Sequence, residues 1–393
     1  MSHQHLYRRS LEGLSGRLHA AAHSHHPWPD VSRDATLACW DDAARLLDHK
    51  WERILGDVLP EAQRRVAAVL GLPDPAQLAF GPNVHGFLVR LFSCLPAASP
   101  GGRRARVVST ASEFHSFSRQ ARRWEEAGLA EVVRVPALPF DGFPARLEAA
   151  LRAGPADLVY VSHVFFDSGL AQADLGWLAA VPEGALVALD GYHAFRALPV
   201  DLGPVARRAF YLAGGYKYAQ AGEGVCFVAV PPGSQVRPVD TGWFAEFDDL
   251  AAARTDAVGY RPGGGRMMGA TFDPAGLYRL VAVERTLERE GLDVATVHAH
   301  VRALQLRLLD ALAGLGGPWR AGESPLLPAG LPWHGHFLAF EVGDAQGFLR
   351  GLEAEGVLAD ARGPRLRLGL GLYHDEADVD RLARAVRTVA RGR

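Results

Sequence analysis

The sequence predicts an α/β fold, a mostly parallel sheet sandwiched by helices, followed by a smaller α+β C-terminal domain. Three observations predict it. From about residue 105 onward, short apolar runs recur: ARVVS, EVVRVP, DLVYVSHV, ALVALD, AFYLAGG and GVCFVAV. They are near-continuously apolar instead of alternating, the pattern of strands covered on both faces. Helical stretches such as HSFSRQARRWEEAGLA and FPARLEAALRAG lie between several of them, and strands alternating with helices imply parallel pairing. Beyond residue 275 the order changes: two long helical stretches come first, then the strands HFLAFEV and RLRLGLGLY, then a closing helix.

Taken in order, residues 1–60 form an N-terminal segment that packs on the small domain and the active site. Residues 60–240 form the large α/β domain. A loop-rich section follows, centred on YRPGGGRMMGATFDPAG, and residues 275–393 form the small domain. The last helix carries Val379, Leu382, Val386 and Val389 at three- and four-residue spacing, which gives one buried stripe. There are no internal repeats and no low-complexity tracts.

Composition narrows the class of function. The chain has 393 residues, 48% of them apolar and 22% charged, as in ordinary globular proteins. Its net charge of −2 points away from nucleic acid or an anionic membrane as the main partner. No run of about 18 apolar residues predicts a membrane span, and the start MSHQHLYRRSLEGLSGRLHA has no apolar core of a signal peptide. Cys39, Cys94 and Cys226 show neither paired nor metal-ligand spacing. A cytoplasmic protein is expected.

The chemistry centres on Lys217. It is one of only two lysines, with Lys50, and stands inside the glycine-rich AGGYKYAQAGEG between two apolar runs. A free lysine amine has a pKa near 10.4 and is almost wholly protonated at pH 7. A reactive lysine therefore needs burial, a cationic neighbour or conversion to an imine. Imine formation with pyridoxal phosphate (PLP) suits these surroundings. That cofactor also asks for an anion at its ring nitrogen, a flat side chain, amides for its phosphate and a cation for the substrate carboxylate. Asp190 closes the apolar run of GALVALDGYHAF. A carboxylate at the carboxyl end of a strand lies where open α/β sheets bind ligands, although a turn-starting aspartate before Gly191 is the plainer alternative.

Several segments carry a resemblance. GGYKYAQAGEG looks like the lysine segment of kynureninases and, more broadly, of the class V aminotransferase family of fold-type I PLP-dependent enzymes. LDGYHAFRALPVDL resembles that family's Asp-x-x-His segment, SHVFFDSG its His-Val-x-Tyr-x-Thr-Gly segment, TGWF its Gly-Trp-Phe, and GVLADARGPRLRLGLGLYHDEADVDRL its arginine-bearing tail. The resemblance implies a fold-type I PLP transferase-like architecture over about 300 residues. It makes Lys217 the Schiff-base lysine, Asp190 the partner of the pyridinium nitrogen, and His193 a neighbour of the ring. Phe114 becomes the stacking aromatic, Ser168 a hydroxyl near the ring, and Tyr216 a phosphate donor. Gly81 and Asn83, in a loop that enters a helix, are candidates for the phosphate, with Trp243 a further one. Arg367 falls at the spacing of the substrate-carboxylate arginine, with Arg365 as the alternative. Thr271 matches a position that reaches the partner subunit's phosphate, which implies a homodimer with shared active sites.

The chain also departs from the pattern. Pro82 has no N–H to give a phosphate. Phe117 stands where kynureninases have aspartate, and Phe272 and Asp273 where they have asparagine and proline. A buried polar substrate atom would lose its partner at such positions, so hydrolysis of kynurenine itself is not expected. No cysteine lies in a segment that reads as a persulfide loop, which argues against desulfurase chemistry. The reading is a PLP-dependent enzyme acting on an amino acid, first as an aminotransferase, alternatively as a kynureninase-like hydrolase or a C–C or C–S lyase. Two rivals are a protein that binds PLP without catalysis and a metal protein using His3, His5, His23, His25 and His26. In relatives the stretch around Ser24 and His25 lies near the active site.

Overall fold

The computed structural model describes residues 2–98, 101–249, 257–329 and 333–392. The N-terminal part contains α1 (Arg8–Gly13), β1 (Leu18–His19), α2 (Val31–Leu46), α3 (Lys50–Arg53) and α4 (Leu59–Leu70). The large sheet is built from β2 (Leu78–Gly81), β3 (Ala105–Thr110), β4 (Ala130–Val135), β5 (Leu158–Ser162), β6 (Leu186–Asp190), β7 (Phe210–Gly214) and β8 (Cys226–Ala229). Helices α5 (Val84–Ser93), α6 (His115–Glu126) and α7 (Phe143–Arg152) lie between its early strands.

The sheet runs in the order β2-β8-β7-β6-β5-β3-β4. β3 to β7 pair in parallel, whereas β8 enters antiparallel between β7 and β2. The six apolar runs are therefore β3 to β8, and β2 is a further, four-residue strand inside what reads as a loop. β5 is buried at every position, whereas β4, at the edge, exposes Glu131 and Arg134. Burial on both faces explains the continuous apolar runs, and an edge needs charges. The connections from β5 to β6 and from β6 to β7 contain no α-helix. The parallel strands end on one rim, which carries Thr110, Ser162, Asp190 and Gly214.

The rest of the chain forms α8 (Ala275–Arg289), α9 (Val294–Leu312), β9 (Phe337–Glu341), α10 (Ala345–Ala354), β10 (Val357–Leu358), β11 (Asp360–Arg362), β12 (Arg365–Gly369) and α11 (Glu376–Arg391). β9, β11 and β12 make an antiparallel sheet in the order β11-β12-β9. Its core includes Leu304, Leu308, Leu338, Phe340, Leu366, Leu368 and the Val379, Leu382 and Val386 stripe of α11. Leu366 and Leu368 face that core, so strand alternation turns Arg365 and Arg367 to the opposite face. α8 is shared: Leu277, Leu280 and Val281 join the core of the large sheet, while Val283 and Leu287 pack with Leu292, Val297 and Leu372. β1 pairs in parallel with β10, and Ala21 bridges Gly369. Among the described residues no helix is long and apolar enough to cross a membrane.

Candidate active site

Lys217 stands three residues past the end of β7. The two glycines before it are required by crowding. A Cβ on Gly214 would sit 2.3 Å from the Tyr192 hydroxyl, and one on Gly215 2.6 Å from Val225. The turn delivers the lysine side chain into a cavity of about 280 Å³. Its walls include Phe114, Phe117, Phe166, Tyr160, Asp190, Tyr192, His193 and Tyr216. Lys217 is itself buried, and burial, only partly countered by Asp190, lowers its pKa to about 7. A large share of the amine is then neutral at physiological pH.

His193 is the nearest partner, with Nε2 2.6 Å from Lys217 Nζ. Burial and then the charge of Lys217 push the imidazole pKa well below its ordinary value, so the ring is neutral. Its Nε2 shares one hydrogen bond with the lysine amine, and its Nδ1 is a buried atom with no hydrogen-bond partner. The rings of Tyr192, Phe114 and Tyr216 have their centroids 5.1, 5.4 and 5.7 Å from Nζ.

Asp190 closes β6 on the same rim. Its Oδ2 accepts from the Tyr160 hydroxyl at 2.7 Å, and its Oδ1 from the Tyr192 N–H at 2.9 Å. Burial raises its pKa against both bonds. A buried carboxylate with lone pairs still free is suited to a cationic ring nitrogen, which would return the charge to it. Beside it, Glu113 is buried against Ser162 Oγ at 2.5 Å and Thr110 Oγ1 at 2.6 Å, and burial raises its pKa to about 8.

The cavity reaches the N-terminus of α5, where Asn83 caps the helix by accepting from the Gly86 N–H at 2.8 Å. Free first-turn amides and the helix dipole suit an anion there. The N-terminal segment backs one wall from outside. His25 stacks on Tyr216 with centroids 5.2 Å apart, and its Nε2 lies 2.9 Å from Glu223, which lines the opening. His3 and His5 lie elsewhere, near His300 and Glu290. Among the described residues no three His, Cys, Asp or Glu side chains group as metal ligands.

The structure thus gathers Lys217, Asp190, His193, Phe114, Tyr216 and Asn83 around one space. It places six other candidates outside the cavity wall. Gly81 is buried at the end of β2. Ser168 lies in a turn, where its hydroxyl accepts from the Leu170 N–H at 3.3 Å. Trp243, 42% exposed, donates from Nε1 to Thr271 Oγ1 at 3.2 Å. Arg367 is buried behind Phe166, donating to the Phe166 carbonyl and to Asp360. Arg365 pairs with Asp167 at 2.7 Å. Tyr160, Tyr192, Glu113 and Ser162 escaped the sequence reading. The available signal was Tyr160 and Ser162 at period two inside an otherwise apolar strand.

The three thiols have no thiolate character. Burial raises the pKa of Cys39 and Cys226 to about 11 and that of Cys94 to about 12.

No protein-family model matches the chain. An isopenicillin N epimerase of Streptomyces clavuligerus is 29% identical over 351 residues, covering 84% of each chain. Among solved structures, an apo cysteine desulfurase from Thermococcus onnurineus superposes with a TM-score of 0.82 at 15% identity, covering 100% of this chain and 99% of its own. A C-DES variant with glycine covalently linked to its PLP cofactor superposes with a TM-score of 0.80 at 16% identity, covering 99% of each chain. The chain shares the fold of these structures, the fold-type I α/β architecture that the sequence resemblance implied.

Proposed function

We propose that the chain is a PLP-dependent enzyme that works at the α-carbon of an amino acid, with Lys217 as both cofactor anchor and proton carrier. One observation carries this reading: a buried amine with a pKa of about 7, 2.6 Å from a neutral imidazole, in the cavity that Asp190 lines. The residues fit the group. Asp190 would hold the ring nitrogen and Phe114 the ring face. Tyr216 and the first amides of α5 would hold the phosphate, and the unpartnered Nδ1 of His193 offers a further polar contact. When bound, PLP supplies an electron sink for negative charge at the substrate α-carbon.

The protein groups do the rest. Lys217 in its neutral form accepts the Cα proton, and a base acts best when its pKa lies near the working pH. His193 fixes the direction of that amine through its Nε2. Phe114, Phe117 and Phe166 exclude water, which strengthens the interaction between Asp190 and a cationic ring. Trp243 and Thr271 hold each other outside the cavity, and we read them as surface that a second copy brings to its partner's site in a homodimer. The unpaired thiols fit a reducing compartment such as the cytoplasm.

The outcome of proton removal is inversion or amine transfer. Two curated relatives named isopenicillin N epimerase, 29% and 28% identical, favour inversion. Transamination, first in the sequence reading, uses the same base and is the second reading. Desulfuration through a protein thiol is disfavoured by the raised thiol pKa values. The test is a panel of amino acids in deuterated water, with and without an α-keto acid acceptor. Inversion gives the opposite enantiomer carrying deuterium at Cα, transfer requires the acceptor, and cleavage releases a fragment. Lys217→Ala should lose borohydride-fixable cofactor, and a variant that still traps PLP covalently would overturn the assignment of Lys217.

A further inference from the structure

The guanidinium of Arg367 is already engaged. Asp360 and Arg367 stand directly opposite each other in the β11–β12 ladder, so register alone places the two side chains on one face. Arg367 donates through one terminal nitrogen to Asp360 and through the other to the Phe166 carbonyl. Its Nε–H is buried without a partner. A carboxylate needs two parallel N–H groups for a bidentate grip, and Arg367 has no pair free.

Two groups flank Asp360. Its Oδ1 accepts from Arg362 at 2.6 Å, and its Oδ2 lies 3.5 Å from Nε2 of the buried His23. His23 in turn stacks on Phe337 with centroids 4.5 Å apart and faces His193 at 6.5 Å. The cluster therefore runs from Asp360 to the partner of Lys217. A buried arginine without a counter-ion is strongly destabilising, which gives the fold a reason to keep a carboxylate here.

We propose that Asp360 is an internal competitor for the substrate carboxylate. It occupies Arg367 in the resting site and must release it, keeping Arg362 and His23 as its partners, before an incoming carboxylate can take the guanidinium. This rests on the reading of the site as one for an amino acid. Asp360 then acts as a specificity-determining residue, because a ligand gains Arg367 only if its other contacts outweigh the displacement.

The test is titration of the purified protein, supplied with PLP, with propionate and with propylamine, followed by calorimetry. Asp360→Asn should tighten propionate binding at least about tenfold, or about 1.4 kcal/mol, and leave propylamine unchanged. Propionate affinity that is unchanged or weaker in Asp360→Asn would overturn the proposal and make Asp360 a positioning residue for Arg367. If thermal melts show that Asp360→Asn does not fold, Arg362→Gln is titrated instead. Loss of the alternative partner should weaken propionate binding at least about threefold, and no change would overturn the proposal. Cofactor absorbance is recorded in every sample. Failure to take up PLP would count against the proposed function, whereas the propionate ratio between variants decides the role of Asp360 by itself.

Discussion

Lowering the pH from 7 to 5 should cost the folded protein about 5 kcal/mol through five buried groups, four histidines and Glu113. Burial holds His23, His26 and His374 neutral to about pH 3 and His163 to about pH 4, against 6.5 for each in an open chain. Below pH 6.5 the unfolded chain takes up protons that the native state refuses, so stability falls as pH falls, until the native values are reached. Each histidine contributes about 2 kcal/mol over those two pH units, about 8 for the four. Glu113 opposes them. Its pKa is raised by burial to about 8 from 4.5, so the native state keeps a proton that the unfolded chain releases. Acidification from 7 to 5 then favours the fold by about 3 kcal/mol. The net loss is a large part of the usual stability of about 5–15 kcal/mol. Urea unfolding at pH 7, 6 and 5 and constant ionic strength, followed by circular dichroism, measures it. His26→Asn should flatten the slope by about 2 kcal/mol over the interval, whatever it does to the plateau at pH 7. Stability that is flat or rises toward pH 5 would refute the reasoning, because the histidines would then carry their protons in the fold.

Three further outcomes follow from particular contacts. Arg196→Ala should cost about 3–5 kcal/mol in denaturant unfolding, because it strands the buried Glu284 carboxylate that Arg196 pairs with; pairing it with Glu284→Gln should recover part of the loss. Tyr160→Phe removes one of two donors to Asp190, and a hydrogen bond to a charged group is worth about 1.5–3 kcal/mol; apoprotein titrated with PLP should bind it at least about tenfold more weakly. Gly222→Ala places a Cβ 2.3 Å from the Trp28 ring at a φ of +72°; limited proteolysis should then cut the segment around residues 23–28 faster than in the wild type.

Much of the candidate site was legible because its residues sit at marked points of the chain. Asp190 closes an apolar run, and Lys217 follows two glycines that crowding forbids to be anything larger. Phe114 and Asn83 start helices just past strand ends. Other parts were hidden for physical reasons. An apolar run does not encode its direction, so the antiparallel entry of β8 between β7 and β2 could not be seen, and β2 is too short to stand out from a loop. Tyr160 reads as core until its hydroxyl is placed against Asp190 on the next strand. The resemblance marked Arg367 as a carboxylate receptor, but its engagement by Asp360 depends on hairpin register. Ser168 and Gly81 matched by position, yet neither lines the cavity.

The walls of the cavity come from the middle of the chain, Pro82 to Cys226, and the two extremes of the chain back them from outside. His23 and His25 come from the first thirty residues, Asp360 and Arg367 from the last forty, and the lysine from between them. During synthesis the N-terminal segment must wait for β10 and β12, which anchor it through β1 and Ala21. The last packing around the cavity should therefore be a late event in biogenesis, and chains cut short before residue 357 should lack the support that His25 gives Tyr216.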